Sequence, residues 1–137
     1  MPKHIFILAI LLLAACDKGD GTASAASDKA TPAGAAGVIA KWREAGLEVT
    51  AFDPADGEKY GGGECKAGQV NGVDAVLCLY ASPEAAEQAQ PAGLQVVGLA
   101  TGASLVAGKQ LLVITDRRKV DPEGRTINQA TRIFRGR

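Results

Sequence analysis

Few residues in this 137-residue chain are equipped for chemistry. It has one histidine, His4, and three cysteines, Cys16, Cys65 and Cys78. His4 lies in the leading apolar stretch, so no imidazole occurs from Cys16 onward. That removes the usual general base, the Ser-His and Cys-His nucleophile pairs and the commonest metal ligand. Carboxylates gather in a glycine-rich segment at Asp53, Asp56 and Glu58, with Glu64 just beyond. Such acids could serve a hydrolase or transferase, but their spacing lacks the alternate-position oxygen ligands of a calcium loop, so a solvated turn is expected. Glu64 and Asp74 fall on opposite faces of the hairpin that the sequence predicts and cannot act as an acid–base pair. Asp116-Arg117-Arg118-Lys119, with Arg125 and Arg132, forms either an anion site or a solubilising edge, since arginine forks suit carboxylates and phosphates. Gly102 to Gln110 looks like a phosphate loop, but five residues separate its glycines, Gln110 follows the lysine, and it lies between two strand-like runs. No metal, cofactor or catalytic residue is expected.

The cysteines divide into two roles. Met1 to Lys3 make a short basic start, Ile5 to Leu13 are apolar, and Leu13-Ala14-Ala15-Cys16 follow. A membrane-spanning helix needs roughly 20 apolar residues; this run is shorter and is followed by Asp17, Lys18 and Asp20. A short apolar core, a basic start and small residues before the cut are features of a signal peptide. The arrangement resembles the lipobox of bacterial lipoproteins, with a plain secretory signal as the rival. The resemblance implies cleavage before Cys16 and a diacylglyceryl group on its thiol, so that the membrane is a partner through the lipid anchor. Asp17 resembles an inner-membrane retention signal of some Gram-negative bacteria; inner and outer membrane both stay open. Residues 1–15 are therefore a leader, excluded from the fold.

Cys65 and Cys78 flank a second signal. Glu64 to Val70 and Val73 to Tyr80 surround Asn71-Gly72, a strong two-residue hairpin turn. With that turn Cys65 faces Cys78 in a non-hydrogen-bonded pair, whose Cα separation is the shorter of the two kinds and close to the disulfide range. Twelve intervening residues and an exported compartment favour a structural staple over a redox dithiol.

These features must be held by a small domain. Residues 16–34 are small and polar without aromatics, and read as a disordered tether; about 17 such residues span roughly 20–25 Å. A helix is expected from Ala35 to Ala45, with Val38, Ile39, Trp42 and Ala45 on one stripe and Gly46 as its stop. Leu47 to Phe52 alternates like a half-buried strand, and Asp53 to Gly63 reads as a loop. Val73 to Tyr80 is apolar on both faces, as a central strand would be. Ser82-Pro83-Glu84 starts a second helix, which Pro91 is expected to end. Apolar stretches Leu94 to Val106 and Gln110 to Thr115 flank a Gly108-Lys109 turn. Asp121 to Gly124 reads as a type I turn, and Thr126 as the cap of a last helix with Ile127, Ala130, Thr131 and Phe134 inward.

The expected architecture is thus one small α+β domain over residues 35–137, with a mostly antiparallel sheet, a disulfide-stapled hairpin and three helices. Formal charge balances, which speaks against nucleic acid as a partner, but the balance hides a reversal. Acids dominate up to Gly108, whereas Lys109, Arg117, Arg118, Lys119, Arg125, Arg132, Arg135 and Arg137 dominate after it. Arg125, Arg132 and Arg135 share the outer face of the last helix and are the candidates for contact with an anionic surface. The functional expectation is an envelope protein, lipid-anchored and exposed to the periplasm or cell surface, acting as a non-enzymatic binding or assembly module. The alternatives are a structural subunit of an envelope complex and a carboxylate-dependent hydrolase.

Overall fold

Local chemistry decides the hairpin by itself. In a computed structural model, which describes residues 34–137, Asn71 and Gly72 hold positive φ angles of 48° and 84°, as a primed two-residue turn requires. Val70 then faces Val73, and the ladder stays in step out to Glu64–Leu79, with Cys65 opposite Cys78. The leader 1–15, Cys16 and all of the expected tether except Gly34 lie outside the described residues.

The strands are β1 (Asp53–Ala55), β2 (Glu64–Val70), β3 (Val73–Leu79), β4 (Thr101–Ala107) and β5 (Gln110–Asp116). They form one sheet in the order β1-β2-β3-β5-β4, and every pairing is antiparallel. β3 is central, as its two apolar faces require. Gly108, with φ +60°, turns β4 into β5. The helices are α1 (Ala35–Glu44), α2 (Pro83–Val97) and α3 (Arg125–Phe134), with a 3-10 turn at Gly57–Tyr60. The fold is therefore α+β. α1 and α3 cover one sheet face through Val38, Trp42, Ile127, Ala130 and Phe134, packed on Val73, Ala75, Leu77, Leu112 and Ile114. α2 and Tyr60 cover the other, packed on Cys65, Cys78, Leu111 and Val113. No helix among the described residues is long and apolar enough to cross a membrane.

α1 ends as its sequence implies. Gly46 has φ +88°, its N–H donates to the Arg43 carbonyl, and Leu47 N–H reaches back to the Trp42 carbonyl at 3.0 Å, the pairing of a Schellman motif. Ala45, expected on the inner stripe, is exposed.

Several local expectations are corrected. Leu47 to Phe52 is not a strand: only Val49 bridges to Val70, and the true edge strand is Asp53–Ala55, inside the expected loop. Val49 opposite Val70 and Asp53 opposite Ala67 differ by one residue in register, so the segment carries an extra residue, as a bulge does. The Thr50 hydroxyl takes the Gln69 N–H at 2.9 Å, and the Phe52 ring covers Gly68, where an added Cβ would lie 2.4 Å from it. Pro54 is tolerated because β1 is an edge.

Pro91 does not end α2, which continues to Val97 and takes Leu94 to Val97 out of the expected apolar strand run. Proline removes one helical hydrogen bond, at a cost of about 3 kcal/mol in a helix interior. Burial of Ala86, Ala89, Gly93 and Val97 on the sheet outweighs it. A reciprocal clamp helps: Gln90 Nε2 donates to the Ser104 carbonyl at 2.8 Å, and Ser104 Oγ donates to the Gln90 carbonyl at 2.9 Å. Finally, Thr126 does not cap α3. Gly124 occupies that position, and the Asp121 carboxylate accepts the N–H groups of Thr126 at 3.1 Å and Ile127 at 2.9 Å. The Asp121 to Gly124 turn closes as expected, with Gly124 N–H on the Asp121 carbonyl at 2.9 Å.

Gly93 is the point of closest helix–sheet approach: an added Cβ would lie 2.2 Å from Ser104 Oγ and 2.7 Å from Val113 Cγ2. Gly93→Ala is predicted to destabilise the domain by about 1–3 kcal/mol through overpacking, although alanine stabilises an unhindered helix by about 1 kcal/mol. Urea unfolding measures it; a variant as stable as the parent would show that α2 is free to move off the sheet.

Candidate functional site

The candidate residues divide between a structural core and one end of the sheet. Cys65 and Cys78 form a disulfide, with Cα atoms 4.0 Å apart. Both are buried beside Tyr60 and Tyr80, which keeps the bond away from thiols in solution. The Tyr80 hydroxyl donates to the Tyr60 carbonyl, tying the 3-10 turn over the staple. Burial raises the Tyr60 phenol pKa, partly offset by Arg117 nearby, and Asp56 raises it further. Burial and then Tyr60 raise that of Tyr80. Both phenols are neutral at physiological pH.

The acidic segment is exposed at Asp53, Asp56, Glu58 and Glu64. Asp56 Oδ1 accepts the Glu58 N–H at 3.0 Å and so caps the 3-10 turn. Among the described residues no three of His, Cys, Asp or Glu gather closely enough to hold a metal ion.

The end of the sheet where β5 stops is built by two buried carboxylates, Asp116 and Asp121. Asp116 accepts the N–H groups of Val120 at 2.9 Å and Asp121 at 2.8 Å. Asp121 in turn caps α3. The loop between strand and helix is thus held by carboxylate-to-backbone bonds, with Lys119 in the left-handed region at φ +59°. Burial of Asp116 opposes its charge, but the backbone donors and Arg118 win and hold its pKa below the usual carboxylate value.

The arginines of the expected anion site are drawn in different directions. Arg117 donates to the Val96 carbonyl at the end of α2. Arg118 is pinned to the hairpin, donating to the Gly72 carbonyl at 2.7 Å and to Asp74 Oδ1 at 2.9 Å. Arg125 pairs with Glu123 at 2.6 Å, both largely exposed, and such a pair contributes little. Arg132 and Arg135 are exposed on α3. What the structure does assemble is a cleft of about 610 Å³ lined by Leu99, Thr101, Asp116, Arg117, Lys119 and Pro122. A smaller pocket of about 210 Å³, shared through Arg117, brings in Lys59, Tyr60 and Thr115.

Leu99, Lys59 and Thr115 were not singled out by sequence. Thr115 did carry a signal: it is the polar member of the inward series Leu111, Val113, Thr115. Leu99 carried none, because it lies inside an apolar run, yet its side chain is wholly exposed.

A depressed carboxylate pKa contributes stability that is complete above the unfolded value and lost as pH falls through the folded one. The domain is therefore predicted to lose stability on acidification from about pH 4 downward. Asp116→Asn should be less stable at neutral pH and show a flatter acid limb in thermal unfolding followed by circular dichroism. Parallel limbs in the two proteins would exclude Asp116 as the source.

Comparison with known proteins gives no relative: no family model, no curated protein and no solved structure matches the chain.

Proposed function

We propose that the protein is a lipid-anchored envelope protein whose folded part is a non-enzymatic binding module, held to a membrane through Cys16. The anchor rests on the lipobox-like Leu13-Ala14-Ala15-Cys16. The binding role rests on one observation, the cleft at the β5 end of the sheet, where a wholly exposed leucine lies beside Arg117 and Lys119. A cavity that combines apolar surface with two cations suits a ligand that carries both an apolar part and a negative charge. The chain enters the domain at the other end. Gly34 lies against Leu79, where an added Cβ would be 3.6 Å from its Cδ2, and Leu79 pairs with Gln110, the first residue of β5. The length of a seven-residue strand, about 20 Å, therefore separates the tether's entry from the cleft.

Intact-mass measurement of the native membrane fraction is expected to show a chain starting at Cys16 with acyl groups, and Cys16→Ala is expected to block maturation. A soluble native protein with unmodified Cys16 would overturn the anchor.

A second reading, contact with an anionic surface, is supported by the exposure of Arg125, Arg132 and Arg135 on α3. Each such charge adds about 1 kcal/mol near an anionic membrane, and salt screens it. A chain starting at Asp17 should float with anionic vesicles at low salt and not at high salt, and replacing the three arginines by glutamate should abolish flotation. Equal flotation by parent and variant would remove this reading.

A further inference from the structure

From the small pocket beneath the end of α2 we infer that the binding module takes an apolar carboxylate, either a free organic acid or the C-terminal residue of a peptide. This inference rests on the reading of the domain as a binding module and names its ligand class.

The pocket holds about 210 Å³, below the roughly 300–1,000 Å³ of sites for drug-sized ligands. A branched or single-ring acid fits such a space, and a nucleotide does not. Its floor is apolar, made by Val76 and Val113 on neighbouring strands. Its polar lining is two cations, Lys59 and Arg117, two hydroxyls, Tyr60 and Thr115, and one carboxylate, Asp74. Thr115 is only 4% exposed, its side chain lies on the pocket face of β5, and its hydroxyl makes no hydrogen bond among the described residues. That hydroxyl is therefore free to meet a ligand atom. The Tyr60 phenol also lines the pocket and can donate. Arg117 uses one amino group on the Val96 carbonyl, which leaves further guanidinium donors, and Lys59 adds a second cation. The acid in the lining, Asp74, accepts Arg118 at 2.9 Å and Gln69 at 3.2 Å on Oδ1, which leaves one carboxylate against the two cations Lys59 and Arg117. Two cations outnumber one carboxylate above an apolar floor, and this excess selects a ligand with an anionic acceptor and an apolar body. The carboxylate belongs at Arg117, and the apolar group against Val76 and Val113.

Arg117 also lines the larger cleft with Leu99 and Lys119. A peptide whose last residue fills the pocket would run its preceding residues over Leu99, whereas a free acid would not need that surface. The two sources therefore differ in what Leu99 contributes.

The full chain, labelled with nitrogen-15 and held in detergent, would be titrated with N-acetyl-L-leucine, with its neutral amide, and with acetyl-Ala-Ala-Leu bearing a free C-terminus. Saturable shifts of the Val76, Val113 and Thr115 amides are expected with one or both acids and not with the amide. Arg117→Gln and Thr115→Val should each weaken binding at least about tenfold while the rest of the spectrum stays unchanged. The second variant keeps side-chain size and strand preference, so its loss reports on the hydroxyl and not on folding. Tighter binding of the peptide, reversed by Leu99→Ser, identifies a peptide C-terminus; equal binding of both acids, unaffected by Leu99→Ser, identifies a free acid. No saturable shift with either acid, or equal shifts with the amide, would overturn the assignment. Lipidation of Cys16, read by mass, is independent of every one of these outcomes.

Discussion

Leu111, Leu112, Val113 and Ile114 follow one another along β5, and all four are buried. Because successive strand residues point to opposite faces, this run demands cover on both sides of the sheet. β3 imposes the same demand with Leu77 and Cys78, consecutive and both buried. α1 and α3 answer on one side and α2 on the other. Once both faces are committed, the rest follows. Trp42 is fully buried between α1, α3 and the sheet, and its indole N–H finds the Ala130 carbonyl at 3.0 Å. α2 must come close enough to bury small residues, which is why glycine stands at position 93. The pressure to cover β5 also carries α2 past Pro91, since breaking the helix there would expose the sheet beneath Gly93 and Val97.

The disulfide strengthens a hairpin whose register is already set by Asn71-Gly72. It lies on the α2 face beside Tyr60 and Tyr80, where it braces the otherwise irregular segment between β1 and β2. A covalent link across a short loop is worth about 2–3 kcal/mol, useful in a domain this small. The irregular segment in turn supplies Lys59 and Tyr60 to the pocket, so the staple and the candidate site share a wall.

At the other end of β5 the chain must turn back from strand to helix without burying unpaired groups. Asp116 and Asp121 do this in series, each accepting two backbone N–H groups, the first within the loop and the second at the start of α3. Charged acceptors make stronger bonds to backbone donors than neutral ones. Holding the loop this way leaves Arg117 and Lys119 on its outer side, at the cleft. The basic residues thus occupy different places: Arg117 and Lys119 line a cavity, Arg118 is bonded to the hairpin, and Arg125, Arg132 and Arg135 are exposed on α3.

What the sequence determined by itself was whatever depends on neighbours in the chain. The Asn71-Gly72 turn, the Cys65–Cys78 pairing, the Schellman stop at Gly46, the Ser82-Pro83 start and the Gly108 turn are each governed by a few consecutive residues, and each was legible. Where tertiary packing competed with local preference, packing prevailed. Pro91 was overridden by sheet contacts; Leu47 to Phe52 had strand alternation, but an extra residue and the Phe52–Gly68 contact moved the pairing on to Asp53–Ala55. Asp121 displaced Thr126 as the cap of α3 because Asp116 positions it. The pocket was decided wholly by tertiary structure, since Lys59, Val76, Val96 and the pair Thr115 and Arg117 come from distant segments. A cavity is the space several elements fail to fill, and no single stretch of residues encodes it.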